Sequence, residues 1–445
     1  MICIWSIVFQ SIMSPSRLLD NSLRQWVDRV GFITSVAGVV TFGWIQGMVS
    51  ISIYFDAFVA TVHFVVLSAA LSCFSFAGVL FLSGMVFLIE LVRDDAPALV
   101  PRSGPTVEAI VPVYQDADVL HRSVESLLTS RYEDVQVSIV CEPDDTRSIR
   151  KAKTFARHDR VTCHINSRYP GSKAGAINYA AEMTDSLCLA VIDADERVDP
   201  AFISTAVSRL VTCDVVQGRT VPVPNGIIET AAYYESVLLG QITHRLLGLV
   251  TGFRMATSRA VVMHRAAFEC VGGYDPVMLT EDFDFAVRCY RAGLVVQESF
   301  DHPSRIEAAH TPADWWGQRK RWMTGYAQVL HQRAVSLRWS VRSVLSFLIA
   351  AGSVLGNLLL LSMVSKVAVL VIVGAEIGLV PLITAAAIAL MIRSYDWWTG
   401  RVSGLGLGWL LAPLVFPLYS LAGIKGTIEY LVSWDGEWYQ VTKDR

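Results

Sequence analysis

LCLAVIDAD, residues 187–195, is six apolar residues followed by two aspartates that flank an alanine. A run this short, apolar at every position from Leu187 to Ile192, reads as a strand buried on both faces, and such strands belong to parallel sheets covered by helices. If extended backbone continues past Ile192, Asp193 and Asp195 project to one side, because side chains alternate along a strand. VEAIVPV at 107–113 and VQVSIVC at 135–141 are likewise short, mainly apolar and rich in β-branched residues. Helical spacing fills the intervals at Val119–Leu128, Ile149–Ala156 and Ala174–Ala181. Strand alternating with helix predicts an α/β domain with a mainly parallel sheet, whose ligands bind at the carboxyl ends of its strands.

Outward from this domain the chain becomes apolar. Its 445 residues are 53% hydrophobic and 17% charged, with mean hydropathy +0.44, which excludes an ordinary soluble or disordered chain. Of 77 charged residues, 57 lie in Arg93–Arg338, 7 in Met1–Glu90 and 13 in Arg342–Arg445. A polar domain, 93–340, is therefore expected between an N-terminal membrane region, 1–92, and a C-terminal one, 341–445. Gly31–Phe55 is 25 residues without a charge; as a helix it rises about 37 Å, enough to cross a bilayer. A second span is expected over 57–92. Three more are expected in Val344–Ser365, Val367–Ile392 and Gly404–Ile424, with the side of the C-terminus left open. Arg17, Arg24 and Arg29 precede the first span and favour a cytosolic N-terminus, which makes the middle domain cytosolic. The net charge of -3 and the lack of a long basic run argue against nucleic-acid binding. Neither the eight cysteines nor the nine histidines show zinc-like spacing, and the thiols read as free in a reducing compartment.

Three acidic groups follow predicted strands or loops: Glu142-Pro143-Asp144-Asp145, Asp193-Ala194-Asp195 and Glu281-Asp282. Clustered carboxylates at a sheet mouth repel one another unless a cation neutralises them, and Mg²⁺ or Mn²⁺ takes such oxygen ligands while bridging phosphates. Thr280-Glu281-Asp282 reads as a helix start, with Thr280 as the N-cap and the acids near the positive end of the helix dipole. The same carboxylates also suit proton abstraction from a hydroxyl. ADWWGQRKRW, residues 313–322, has two readings. It is an interfacial belt of tryptophans and cations, or Gln318 and Arg321 grip a diphosphate while Trp322 stacks on a sugar.

From Thr106 to Tyr326 the ordered motifs resemble the membrane-integrated inverting glycosyltransferases of family 2, which include cellulose, chitin and hyaluronan synthases. AIVPVYQDADVL is similar to the first-strand motif, GSKAGAINYA to KAxxxN, DAD to the metal and donor motif, LTED to the base motif and QRKRW to QxxRW. GGYD, at Gly272–Asp275, fits the turn before the base. The resemblance implies a GT-A fold inserted between transmembrane helices, with a nucleotide sugar as donor, UDP-linked by analogy. It places Pro112 and Tyr114 near the nucleotide, Lys173 at the diphosphate with Asn178 nearby, Asp195 and Asp193 on Mg²⁺ or Mn²⁺, and Asp282 as the base. Gln318 and Arg321 join the donor site; Trp322 and Glu281 join the acceptor site. Many relatives carry Asp-Asp-Gly where this chain has Glu142-Pro143-Asp144-Asp145, so the uracil-contacting role passes by position to Glu142, with Asp144 or Asp145 as substitutes.

The implied reaction is a single displacement at the anomeric carbon, forming polysaccharide or glycan at the plasma membrane. Transfer of one sugar to a lipid-linked acceptor is the rival within enzymes. An inactive membrane scaffold or transporter is the rival outside them. Sugar, linkage and protein partners are not legible.

Overall fold

The computed structural model describes residues 58–93 and 100–433, together with Trp26, Val30, Gly31, Ile33 and Thr34. Nearly all of the span expected over 31–55 lies outside the described residues. In chain order, α1 (Phe58–Arg93) leads to β1 (Val107–Val113), α2 (Leu120–Leu128), β2 (Val135–Cys141), α3 (Thr146–Phe155), β3 (Val161–Ile165), α4 (Lys173–Glu182) and β4 (Cys188–Val191). There follow α5 (Phe202–Arg209), β5 (Val215–Pro222), α6 (Ile227–Glu235), a π-helical segment Ser236–Ile242, α7 (Thr243–Thr251), β6 (Val261–His264), α8 (Arg265–Cys270), α9 (Glu281–Ala292) and β7 (Val296–Ile306). The C-terminal helices are α10 (Pro312–Val335), α11 (Val341–Ile372), α12 (Val380–Trp398) and α13 (Val415–Ser433), with 3-10 turns Glu376–Leu379 and Gly408–Leu414 leading into the last two.

The fold is mixed α/β around one seven-stranded sheet, ordered β3-β2-β1-β4-β6-β5-β7. β1 pairs in parallel with β2 and β4, and β2 with β3. β6 runs antiparallel between β4 and β5, which pairs in parallel with β7. All seven residues of β1 are buried, and their alternation divides the core. Val107, Ala109, Val111 and Val113 pack with Leu120, Leu127 and Phe202 on one face. Ile110 packs with Ile177, Leu189 and Phe283 on the other. The chain winds outward from β1 through β2 to β3 and then returns to β4 on the opposite flank. That reversal opens a crevice beyond the ends of β1 and β4, where open α/β sheets bind ligands.

Among the described residues four helical stretches are long and apolar enough to cross a membrane: Val66–Arg93, Val341–Ile372, Glu376–Trp398 and Gly408–Ser433. The boundary expected near Lys366 lies further on. α11 continues through Lys366 to Ile372 and breaks at Gly374, whose φ of 74° suits a residue without a Cβ. One lysine in a long apolar helix does not stop it, whereas a left-handed residue does. Cys73, Cys141, Cys163, Cys188, Cys213 and Cys289 are free thiols.

Buried ion pairs fasten the sheet to these helices. Arg219 of β5 makes two 2.7 Å bonds to Asp396 of α12, which also accepts a 2.6 Å bond from Tyr233. Arg245 of α7 bridges Glu90 near the end of α1 (2.9 Å) and Glu298 of β7 (2.5 Å).

Candidate active site

The crevice takes its first cation from α4. Ser172 caps that helix by accepting from the Gly175 amide at 3.0 Å. A Cβ on Gly175 would stand 2.1 Å from the Tyr169 carbonyl, so only glycine lets the preceding loop fold back here. Lys173, the first helical residue, pairs with Asp193 at the end of β4. The Asp193 amide donates to buried Glu196 at 3.1 Å, which fixes the DAD turn. Glu196 also accepts from Ser304 and, at 3.3 Å, from the Ala260 amide. Burial, then Asp193, pushes its carboxyl up to about 7.

The base motif opens α9. Asp282 is partly buried in the first turn, its Oδ1 accepting from the Phe283 amide at 2.7 Å. Glu281 is buried and accepts from Ser258 Oγ at 2.8 Å. Burial and the neighbouring Asp282 raise its pKa against the pull of Lys173 and Arg321. The cap expected from Thr280 is not made. Its side chain makes no capping bond, and its buried Oγ1 finds no partner among the described residues. It is turned instead toward α10, where a Cβ on Gly325 would lie 2.6 Å from Oγ1. The close helix contact therefore takes the hydroxyl away from the cap.

The QRKRW segment divides between two faces of α10. Trp315, Arg319 and Trp322 share one face, with the Arg319 guanidinium 5.0 Å from one ring centre and 4.8 Å from the other. Buried Glu235 of α6 accepts from Arg319 Nε at 2.8 Å and from Trp315 Nε1 at 2.7 Å. Gln318 Oε1 accepts from Arg319 Nη1 at 2.5 Å. Arg321 faces the crevice. Burial lowers its pKa, opposed by Glu281 and Asp282, and Asp193 lies within its electrostatic reach.

The nucleotide edge forms where β1 meets β2. Pro112 is buried in register with Val140, and exposed Tyr114 lies 3.4 Å from Asp144 Oδ2. Gln115, with φ 58°, donates its amide to Asp145 at 2.5 Å. Asp145 also caps α3 through the Ser148 amide; these bonds outweigh burial and hold its pKa below the usual value. Both oxygens of buried Glu142 are engaged, one with Asn166 Nδ2 at 2.8 Å and one with the Gly171 amide at 2.7 Å. Asp144 is the exposed carboxylate of the group.

The structure thus brings Lys173, Asp193, Glu281, Asp282 and Arg321 into one electrostatic cluster and sets Tyr114 and Asp144 beside each other. Asn178, expected near the diphosphate, clamps the GGYD turn. It donates to the Tyr274 carbonyl at 2.7 Å and accepts from the Tyr274 amide at 3.0 Å. Three residues near the site escaped the sequence reading: Glu235, Arg319 and Arg259. Glu235 and Arg319 are 84 residues apart, and Arg259 lies in a segment, ATSRAV, without a recognised pattern. Among the described residues no three His, Cys, Asp or Glu side chains form a metal-holding group. Asp193 and Asp195 of the DAD segment supply carboxylate oxygens, the donor type that Mg²⁺ and Mn²⁺ take.

The family model described as glycosyl transferase family group 2 matches residues 188–422, more than half of the chain. A probable glycosyltransferase of Sulfolobus acidocaldarius is 22% identical over 260 residues, 55% of this chain and 54% of that protein. The chain thus spans about half the length of the curated relative it matches. Among solved structures, the mannosyltransferase PcManGT from Pyrobaculum calidifontis, in complex with GDP-Man and Mn²⁺, aligns with a TM-score of 0.48 at 14% identity, over 80% of this chain and 99% of that one. S. aureus TarS 1–349 aligns with a TM-score of 0.40 at 11% identity, over 74% and 91%.

Proposed function

This chain belongs to glycosyl transferase family group 2, and from that premise we propose that it is an inverting membrane enzyme transferring a hexose from a nucleotide sugar, UDP-linked by its motifs, to a hydroxyl acceptor. The observation that carries the reading is the meeting of Asp282, at the start of α9, with Lys173, Asp193 and Arg321 in the crevice beyond β4. A base, a pair of cations and a carboxylate of the DAD motif then lie within electrostatic reach of one another.

In this reading Asp282 removes the acceptor hydroxyl's proton as that oxygen attacks the anomeric carbon. The bond from that carbon to the diphosphate oxygen breaks on the opposite face, so an α-linked donor yields a β-glycoside. One carboxylate suffices because the diphosphate leaves readily, unlike the leaving groups of glycosidases. Lys173 and Arg321 meet the charge that develops on the departing oxygens, where fixed charges act best. Asp195 and Asp193 would hold Mg²⁺ or Mn²⁺; when bound, the ion supplies charge neutralisation at the diphosphate. Asp144 and Tyr114 take the nucleobase side, with Pro112 beneath them, and Glu142 braces the loop that carries Gly171. Glu281 keeps Asp282 facing the acceptor.

QxxRW supports a polysaccharide or glycan product. A lipid-linked acceptor is a second reading, supported by the contact of α10 with α13, where Gly426 would place a Cβ 2.4 Å from the Lys320 carbonyl. Such packing leaves little width between these helices for a polymer. The apolar helices support a multi-pass protein of the cell membrane, with the 93–340 domain cytosolic beside the nucleotide sugars. The test is to incubate purified protein, in detergent and in bilayer discs, with labelled UDP- and GDP-sugars, with and without a chelator, and to size the products. Transfer that stops with chelator and returns with Mn²⁺ is expected. Full transfer in excess chelator would remove the metal role of Asp193 and Asp195, and no transfer from any donor would remove the catalytic reading.

A further inference from the structure

Resting on the donor reading above, we propose that Arg259 is a third cation for the donor diphosphate, parked among the site's carboxylates until the nucleotide arrives. Its place follows from the backbone on either side. Ser258, before it, donates to Glu281 beside the base at 2.8 Å. Ala260, after it, donates its amide to Glu196 of the DAD turn at 3.3 Å. Residue 259 therefore leaves the chain between the base motif and the metal motif. Its own carbonyl is fixed by Gln217 Nε2 at 3.0 Å and Thr257 Oγ1 at 2.9 Å.

The backbone beside it is strained. Ala260 is buried with φ 42°, and its carbonyl accepts from the Gly218 amide at 2.7 Å. A non-glycine residue in the left-handed region is held there only where the surroundings enforce it. Here the enforcing bonds come from β5 and Glu196. Burial works against the Arg259 charge, but Asp193, Asp282, Glu196 and Asp195 outweigh it and hold its pKa above the ordinary arginine value. Arg259 in turn acts on Arg321, so two guanidinium groups and Lys173 serve the same crevice.

A purely structural counter-ion and a donor ligand differ in what removal does. If Arg259 only balances carboxylates, its loss weakens the fold and every ligand together. If it is a donor cation, it competes with a divalent ion for Asp193 and Asp195 in the empty site and grips phosphate oxygens in the loaded one. Its loss then has opposite signs for the two ligands.

The experiment uses the full chain in detergent. Binding of UDP and of GDP in the presence of Mn²⁺ is measured by calorimetry, Mn²⁺ alone by electron paramagnetic resonance, and melting by fluorescence. For Arg259→Gln, the nucleotide that wild type prefers should bind about 10- to 100-fold more weakly, the usual worth of hydrogen bonds to a charged group. Mn²⁺ alone should bind roughly 2- to 5-fold more tightly, since one half-screened like charge is gone. Unchanged nucleotide affinity, or joint weakening of both ligands with a lowered melting temperature, overturns the proposal. If Arg259→Gln does not fold, Arg259→Lys decides: it should keep the fold yet lose nucleotide affinity with the planar fork, and wild-type affinity would overturn the inference. A wild-type chain that binds neither nucleotide would instead defeat the donor reading on which this one rests.

Discussion

Replacing Asp282 with Asn keeps the outline that accepts the Phe283 amide at 2.7 Å and removes the basicity. Asp282→Asn is expected to lower turnover by ~10²- to 10⁴-fold, the usual worth of a general base, while nucleoside diphosphate binding by calorimetry stays near wild type. Wild-type turnover would remove Asp282 from the reaction. The two arginines of QRKRW make a sharper contrast because they face different neighbours. Arg319→Ala leaves buried Glu235 without its 2.8 Å partner and exposes the gap between Trp315 and Trp322, so it is expected to cost about 3–5 kcal/mol of stability, read as a lowered melting temperature. Arg321→Lys is expected to melt like wild type but to lose turnover nearly as Arg321→Ala does, because the ammonium cannot reproduce the bidentate grip on a diphosphate. If both changes act on melting alone, the crevice role of Arg321 fails.

At the scale of elements, α10 sits where it does because small residues let its neighbours close in. Gly325 lies against Thr280 at the start of α9, and Gly426 of α13 lies against the Lys320 carbonyl. Gly426→Ala must move backbone, not a flexible side chain, so it is expected to cost about 1–3 kcal/mol by overpacking and to lower turnover by displacing Arg321. A melting and activity profile equal to wild type would show that α13 does not hold α10 in place. These contacts also explain which parts of the site were legible in the sequence. β1 and β2 follow from local pattern alone, since buried parallel strands are mainly apolar, but the expected projection of Asp193 and Asp195 to one side does not: β4 ends at Val191 and the chain turns, the Glu196 amide donating to the Asp193 carbonyl at 3.1 Å. The lost cap at Thr280 was not legible, because the competing contact comes from Gly325, 45 residues on in the chain. Nor was the division of QRKRW: the tryptophans gave equal support to a membrane belt, and only Glu235, brought in by α6, selects the face on which Arg319 is buried. The two bonds of Asn178 to Tyr274 were not legible either, because they depend on how the GGYD turn folds back.

For the whole molecule, ion pairs tie the sheet to the ends of the apolar helices. Glu90 near the end of α1 meets Arg245, and Asp396 near the end of α12 meets Arg219. The carboxyl ends of both helices thus dock on the same sheet through β7 and β5. The proposed cytosolic placement, which rests on the arginines before the first span, predicts that an engineered cysteine at exposed Asp159 escapes an impermeant thiol reagent applied to intact cells and reacts after permeabilisation; labelling in intact cells would overturn that placement. The junction itself is testable by separating charge from packing. Asp396 is fully buried, with Arg219 at 2% exposure, so Asp396→Leu strands a guanidinium that lies 5.6 Å from the Phe87 ring. That change is expected to cost about 3–5 kcal/mol, whereas Asp396→Leu with Arg219→Met removes both charges and should recover most of the loss, because well-packed apolar pairs often match buried ion pairs. Melting in detergent measures the stability, and turnover measures whether the sheet is still held in register with α10. Recovery of melting without recovery of turnover would assign the pair to alignment of the crevice with the membrane helices. Failure of the double change to recover melting would make the pair a net source of stability, with the Tyr233 hydroxyl, 2.6 Å from Asp396, and the Arg401 guanidinium, 3.6 Å from it, as the groups that also lose that carboxylate.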